Sequence, residues 1–416
     1  MEINQAEFNK NKIKDSSPNQ EVATSPHLLP VHKRFDIAFS HGSEAYLFSN
    51  QQPYLDFGAG IAVNALGHCH PAMVEAITNQ AKKLWHISNI YNGYELNHYA
   101  DKLTANCFAD YVFFCNSGAE SIECAIKMIR RYFYCHNQAH KNRIITFAGA
   151  FHGRTIATIS AASKKKYLEG FEPALPGFDN IEFGNIDKLK DAINENTAGI
   201  LIEPIQGEEG IIVPSVDFLK EVRAICDQHN ILLAFDEVQC GMGRTGHLFA
   251  YQHFGVLPDI VSTAKAIAGG FPLGACLTSK KVGSTMTAGV HGTTYGGNPL
   301  AMAVADAVLT VIMGDGFLDN VRECGKILKL ELENLKTKYP NIIEEVRGVG
   351  LMLGIKINQN YEVSEVVKKL IKHKLLTIPA GNNVVRILPP LIINKSHIYE
   401  AIDKIETCFK NIDIDV

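Results

Sequence analysis

Tryptophan is almost missing from this chain: a single residue, Trp85, in 416. Cysteine is present but unorganised. Ten residues are scattered without one C-x-x-C pair, which excludes zinc ribbons and disulfide frameworks, since both need regular pairs. Scattered single cysteines read as reduced, mostly buried small residues of a cytoplasmic protein. No basic excess exists either. Forty Lys and Arg stand against 44 Asp and Glu, for a net charge of -4, so nothing marks a nucleic-acid surface. The one short basic run, Lys164 to Lys166, reads as a solvated loop. No apolar run approaches the roughly 18 residues of a membrane-spanning helix. The first twenty residues, MEINQAEFNKNKIKDSSPNQ, lack the apolar core of a signal peptide. Residues 1–24 read as a mobile arm. Internal repeats and low-complexity tracts are absent.

What is there is a steady alternation of short apolar runs with helical periods. YVFFC (111–115), RIITF (143–147), AGILIE (198–203), ILLAFD (231–236), DIVST (259–263) and LGACLTS (273–279) read as strands, and GAESIECAIKMIRRYF (118–133) as a helix. Over 216–229, Phe218, Leu219, Val222, Ile225 and Cys226 share one helical face, with Ser215 ahead as an N-cap. A hairpin with Pro53 in its turn is expected over 45–63, and a helix over 71–84. The alternation implies an α/β fold, a mostly parallel sheet flanked by helices. Residues 298–338 read as mostly helical, and the chain after Pro340 as a smaller α+β unit. The expected organisation is an arm (1–24), a segment joining the small domain (25–64), a large domain (65–315) and a small C-terminal domain (316–416).

FDEVQCGMGRTG (235–246) is ambiguous at first sight. Gly241, Gly243 and Gly246 spell G-x-G-x-x-G, but a dinucleotide fingerprint belongs to the first strand–turn–helix of its domain, with its acid about 20 residues on. Here three strands of the sheet precede it, and the acid, Asp236, precedes it too, at the carboxyl end of a strand where open α/β sheets place ligands. A nicotinamide dehydrogenase is therefore disfavoured. Asp236 alone could be a capping carboxylate. Lys265, in STAKAIAGG just past another strand, changes its meaning: burial frees a lysine amine for Schiff-base chemistry, and a carboxylate for a pyridinium proton plus such an amine are two parts that pyridoxal phosphate requires. Ser117, Gly118 and Ala119 at a helix start offer free N–H groups to a phosphate. Phe151 offers a ring to stack, Gly153 close backbone approach, and Arg154 a fork for a carboxylate. His68 and His70 mimic a metal pair, but no partner recurs at ligand spacing, so they read as turn or packing residues and no metal site is expected. His152 reads equally as a tuner of the cofactor or a satisfied polar residue, and Trp85 as core or channel lining.

GHCHP, NSGAE, AFHGRT, EPIQGE, FDEVQCGMGRTG, the Lys265 segment and HGTTYGGNPLA, taken in order, resemble the class III (ornithine-type) aminotransferases of fold-type I, over roughly residues 27 to 410. ALGHCHPAMVEAI followed by LWHISNIY is most similar to the acetylornithine branch. The resemblance implies a cytoplasmic homodimer that moves the δ-amino group of N2-acetylornithine to 2-oxoglutarate by a ping-pong route, in arginine biosynthesis, with ornithine, succinyl-diaminopimelate or 4-aminobutyrate as alternative donors. It implies that Lys265 bonds to the cofactor aldehyde and shuttles the proton, that Asp236 pairs with the ring nitrogen, and that Val238 and Gln239 meet the ring's phenolic side. Phe151 would stack on the ring, Ser117, Gly118 and Ala119 would hold the phosphate, and Thr294 would reach the phosphate of the neighbouring subunit. Arg154 would clamp the α-carboxylate, and Glu208 would mask or release Arg386 for the second carboxylate of 2-oxoglutarate. Arg386 also reads as an ordinary ion pair, and Glu203 as a structural acid near the cofactor. The chain departs from the branch at Ala119, Ile122 and Glu209, where Thr, Asn and Gly are common. Glu209, a second charge beside Glu208, bears most on substrate preference.

Overall fold

The protein, described as a computed structural model, is defined over residues 25–414; the arm expected over 1–24 lies outside the described residues. The chain enters as an antiparallel unit of β1 (His41–Ser43), β2 (Tyr46–Ser49) and β3 (Gln52–Asp56). Asn50 and Gln51, at φ 49° and 61°, make the β2–β3 turn, the left-handed geometry that a two-residue hairpin favours. Pro53 lies inside β3 opposite Phe48, not in the turn as expected. Helices α1 (Pro71–Ala81) and α2 (Tyr94–Thr104) follow, the first ending three residues before its expected limit.

A seven-stranded sheet comes next. It comprises β4 (Tyr111–Cys115), β5 (Arg143–Phe147), β6 (Phe178–Ile181), β7 (Thr197–Ile202), β8 (Leu232–Asp236), β9 (Ile260–Thr263) and β10 (Gly274–Thr278), in the order β4-β10-β9-β8-β7-β5-β6. Five strands, β6-β5-β7-β8-β9, run parallel, while β10 is antiparallel to both β9 and β4. The strands at its centre are buried along their whole length, as in a sheet covered on both faces. Alternate side chains go to opposite sides. Ile145, Phe147, Ile200, Ile202, Leu233 and Phe235 join the larger core. Ile144, Leu201, Leu232 and Ala234 pack on the other face with Ile122, Ala125 and Ile129 of α3 (Gly118–Cys135). Ile122, one of the departures from the family pattern, is thus core. Strand β6 escaped the sequence reading because FDNI is a short edge strand with two polar residues.

Further along are α4 (Ile156–Ala162) and α5 (Val216–His229), the latter capped by Ser215 as expected. The helical stretch near 300–338 is two helices, α6 (Pro299–Ile312) and α7 (Phe317–Lys338). Gly316, at φ 75°, sits in the break between them. A four-stranded sheet then forms from β11 (Ile343–Val349), β12 (Met352–Ile357), β14 (Ile378–Ala380) and β15 (Val384–Ile387), with α8 (Val363–Lys372) and α9 (Lys395–Ile414). The two-residue β13 (Leu375–Leu376) leaves that region to pair in parallel with β3, so the N-terminal hairpin and the C-terminal part share one sheet.

Register aims the site. Asp236, last in β8, lies opposite Ser262, and Lys265 follows three residues later in the turn that reverses β9 into β10. The reversal brings Gly274 against Cys115 and under the next turn: a Cβ on Gly274 would lie 2.3 Å from the Ser117 carbonyl oxygen. Gly274→Ala should therefore cost about 1–3 kcal/mol, read as a lower urea midpoint with an unchanged slope.

Candidate active site

Three chain segments converge at the carboxyl ends of β4, β8 and β9. The first is the start of α3. Ser117 is extended and caps the helix, its hydroxyl accepting from the Glu120 N–H at 3.3 Å, an arrangement worth about 1 kcal/mol. The N–H groups of Gly118 and Ala119 begin an 18-residue helix and have no acceptor within it. Gly118 is required by crowding, since a Cβ there would meet Val238 Cγ1 at 2.8 Å.

The second is the end of β8. Asp236 is 3% exposed, and both its oxygens are engaged. His152 Nδ1 lies 2.8 Å from Oδ2, and the Val238 N–H donates to Oδ1 at 3.0 Å. These bonds fix the plane of the carboxylate. His152, for which two readings stood open, is thus the partner of the acid, while its buried Nε2 has no hydrogen-bond partner. Glu237, quoted beside Asp236, points the other way. It accepts from the Ala250 and Tyr251 N–H groups at 2.5 and 2.8 Å and so caps the helix there, and burial pushes its carboxyl up to about 8 against those two bonds. The glycine motif behind it is a turn, with Gly243 and Gly246 at φ 91° and 83°, followed only by the five-residue helix Ala250–Phe254. A dinucleotide-binding helix has no place there.

The third is Lys265, at φ 50°, a left-handed conformation uncommon for a side chain of its size. Its ammonium is desolvated. Burial lowers the pKa from the ordinary 10.5, the nearby charge of Glu208 opposes this, and Arg386 adds to it. Glu203, also buried, accepts from the Phe151 N–H at 3.1 Å; burial and then the proximity of Asp236 raise its pKa well above the carboxylate range.

Between these segments lies a cavity of about 410 Å3 whose wall includes Ser117, Gly118, Ala119, Phe151, Arg154, Asp236, Val238 and Lys265. Eight of the predicted site residues are therefore brought together. Arg154 is exposed at its rim, with its guanidinium carbon 3.9 Å from the ring centre of Tyr167 and 5.4 Å from that of Phe151. Tyr167 was not anticipated, because nothing local in KKKYL points to a ring under an arginine thirteen residues earlier; only the fold of the short helix Lys165–Leu168 brings it there.

Glu208, Gln239 and Arg386 form an adjoining cluster. Arg386 is buried and bidentate, with Nη1 to Glu208 Oε1 at 2.5 Å and Nη2 to Oε2 at 3.3 Å. Gln239 Oε1 accepts from the same Nη1 at 3.2 Å. Burial alone would raise the Glu208 pKa, but the charge and bonds of Arg386 outweigh it and the net shift is downward. Thr294 stands apart. It is exposed and lines a separate cavity with Asn116, Glu120 and His291, not the one around Lys265 of its own chain.

Other expectations change. Trp85 is neither core nor channel lining in this chain, since it is 64% exposed with its indole N–H on the Ala81 carbonyl at 2.7 Å. Lys164 is not merely solvated; it pairs with Glu209 at 2.7 Å. His68 hydrogen-bonds Asp56 at 2.8 Å and His70 caps α1, which accounts for both as turn residues.

Residues 31–409 match the Aminotransferase class-III family. The chain belongs to that family. It is 53% identical over 380 residues to an acetylornithine aminotransferase of Agrobacterium fabrum, covering 91% of this chain and 95% of that one. Among solved structures, an ornithine aminotransferase of Toxoplasma gondii superposes with a TM-score of 0.91 at 30% identity, covering 94% of each chain. An N-acetylornithine aminotransferase of Stenotrophomonas maltophilia gives 0.81 at 36% identity, covering 91% of this chain and 97% of that one. The fold is fold-type I, and the enzyme is a pyridoxal phosphate-dependent aminotransferase. The residues present fit that cofactor: a desolvated lysine, a buried carboxylate held in plane by two bonds, and an uncapped pair of helix N–H groups face one cavity.

A lowered lysine pKa means that the neutral amine persists further below pH 10.5 than in a free lysine. In cofactor-stripped enzyme, the rate of pyridoxal phosphate attachment at Lys265, trapped with borohydride at each pH, should rise to its plateau at a lower pH than for a surface lysine.

Proposed function

We propose that this aminotransferase takes the δ-amino group of N2-acetylornithine and delivers it to 2-oxoglutarate, as a cytoplasmic homodimer working in arginine biosynthesis. The observation that carries the proposal is the Glu208–Arg386 pair beside the Lys265 cavity. One pocket must accept an amine with a neutral acetylated end and then an acid with two carboxylates. A guanidinium already held by a carboxylate meets both needs: it stays masked for the first substrate and is offered when a second carboxylate competes for it. The identity to the Agrobacterium protein supports acetylornithine over ornithine. The higher TM-score of the Toxoplasma structure weighs less, because a shared fold does not set a substrate.

Pyridoxal phosphate supplies an aldehyde for the amine and a ring that draws electrons from the adjoining carbon. We assign Asp236 to the ring N–H, with His152 and the Val238 N–H holding the carboxylate still. Phe151 and Val238 bound the ring, Gln239 lies toward its phenolic side, and Ser117, Gly118 and Ala119 hold the phosphate. Ala119 contributes only backbone there. Lys265 Nζ, whose pKa burial lowers, is the base that takes the proton from the amine-bearing carbon and returns it. Arg154 receives the α-carboxylate. Thr294 we place at the phosphate of the neighbouring subunit. Its exposure, and that of Trp85, Ile90 and Tyr94 at 64%, 81% and 79%, suit a surface covered in a dimer. Residues 65–315 would form the large domain and 316–416 the small one, joined by 25–64. Among the described residues no single helix is long and apolar enough to cross a membrane.

Lys265→Ala should abolish the visible absorbance of the holoenzyme and its turnover. Glu208→Gln unmasks Arg386 permanently: the KM for 2-oxoglutarate should fall while kcat/KM for acetylornithine drops about tenfold, the scale of one charge-assisted bond. A panel of acetylornithine, ornithine, succinyl-diaminopimelate and 4-aminobutyrate with 2-oxoglutarate ranks the donors. Preference for any of the other three would replace the assignment.

A further inference from the structure

Glu209 and Lys164 are left unexplained by the chemistry above, and the structure joins them. Lys164 Nζ lies 2.7 Å from Glu209 Oε2, both side chains being partly buried. Lys164 is the residue before the short helix Lys165–Leu168, and its carbonyl accepts the Tyr167 N–H at 2.8 Å. The Tyr167 ring in turn sits under the Arg154 guanidinium and edge-on to Phe151, with ring centres 5.9 Å apart. On its other side Glu209 is tied to the segment leading to Arg386. Asn382 Nδ2 donates to the Glu209 carbonyl at 2.9 Å, and the Gly381 N–H to the Glu208 carbonyl at 2.9 Å. Gly149 holds the same corner tight, because a Cβ there would lie 2.9 Å from Glu209 Cγ.

We infer that the Lys164–Glu209 ion pair and Tyr167 are positioning residues that set Arg154 for the carboxylate remote from the reacting carbon, the α-carboxylate of acetylornithine and the C5 carboxylate of 2-oxoglutarate. The pair links the two carboxylate anchors of the pocket, Arg154 and Arg386, through adjacent residues 208 and 209. Arg154 itself is a long exposed side chain. An aromatic face beneath it restricts its rotamers before substrate arrives, so less entropy is lost when the carboxylate binds. The ion pair fixes the turn that carries that face. This inference rests on Arg154 being the clamp for that carboxylate.

The test compares substrates that differ only in that remote carboxylate. Acetylornithine is matched with N-acetylputrescine, and 2-oxoglutarate with 2-oxobutanoate, which lacks the C5 carboxylate. In Glu209→Gln and Lys164→Met holoenzymes, KM for acetylornithine and 2-oxoglutarate should rise about three- to tenfold, the span open to a partly buried ion pair, with kcat held. KM for the two decarboxylated analogues should not move. Tyr167→Phe should behave as wild type and Tyr167→Ala as the ion-pair variants. The doubly reversed Lys164→Glu/Glu209→Lys enzyme should regain much of the selectivity. Equal rises for carboxylated and decarboxylated partners, or no rise at all, overturn the proposal. The 2-oxoglutarate and 2-oxobutanoate arm reads independently of the amine donor. A wild type that prefers another donor therefore refutes the acetylornithine assignment while this arm still decides the positioning role. If wild type itself fails to favour 2-oxoglutarate over 2-oxobutanoate, Arg154 is not the clamp and the inference falls with it.

Discussion

Desolvation at the carboxyl end of β8 is the constraint on which the rest of this structure depends. Asp236 and Lys265 line one cavity, Glu203 and Glu208 lie close enough to act on the lysine's charge, and burial strips much of the water from all of them. Each resolves the cost differently. Glu203, crowded by Asp236 and only partly offset by Lys265, shifts toward its neutral form; Glu208 has Arg386 and stays a carboxylate; Lys265 gives up its proton more readily. One physical cause thus pushes one acid toward neutrality, leaves a second anionic beside its cation and eases the release of the amine's proton. That division of labour is what transamination demands of the protein, and burial followed by choice of partner produces it.

The sheet serves this arrangement through direction as much as through position. Parallel β8 and β9 put Asp236 and the approach to Lys265 at the same edge. The reversal into antiparallel β10 then turns the chain at Lys265 itself, with Gly269 and Gly270 at φ 55° and 130° closing the turn. A parallel continuation would have needed a long crossover after β9. The connection to β10 instead opens with the short 3-10 helix Lys265–Ala268, which keeps the lysine beside the end of β9.

The central acid, the lysine, the helix start and most of the strand segments were legible because each rests on local pattern: an apolar run ending in Asp, a Lys among small residues, Ser-Gly ahead of a helical period. What stayed hidden depends on long-range register. FDNI does not announce β6, since an edge strand need not be apolar. The direction of β10 is not written in LGACLTS. The bond from His152 to Asp236 spans 84 residues of chain, and that from Arg386 to Gln239 spans 147. Glu209 looked like an extra charge in sequence because its neutralising partner, Lys164, lies 45 residues away.

That last pairing changes how the departures from the family pattern should be weighed. Ala119 lacks a hydroxyl but keeps its backbone N–H at the cavity wall, and Ile122 fills the core behind α3. Glu209 could have perturbed Arg386 by competing with Glu208 for it. The geometry shows otherwise: Arg386 spends its guanidinium on Glu208, Gln239 and the Pro379 carbonyl, while Glu209 is drawn to Lys164 and Asn382. A charge added next to a switch is harmless to that switch when another cation claims it. Its influence then travels away from Arg386 and toward the far wall of the pocket, where Tyr167 supports Arg154.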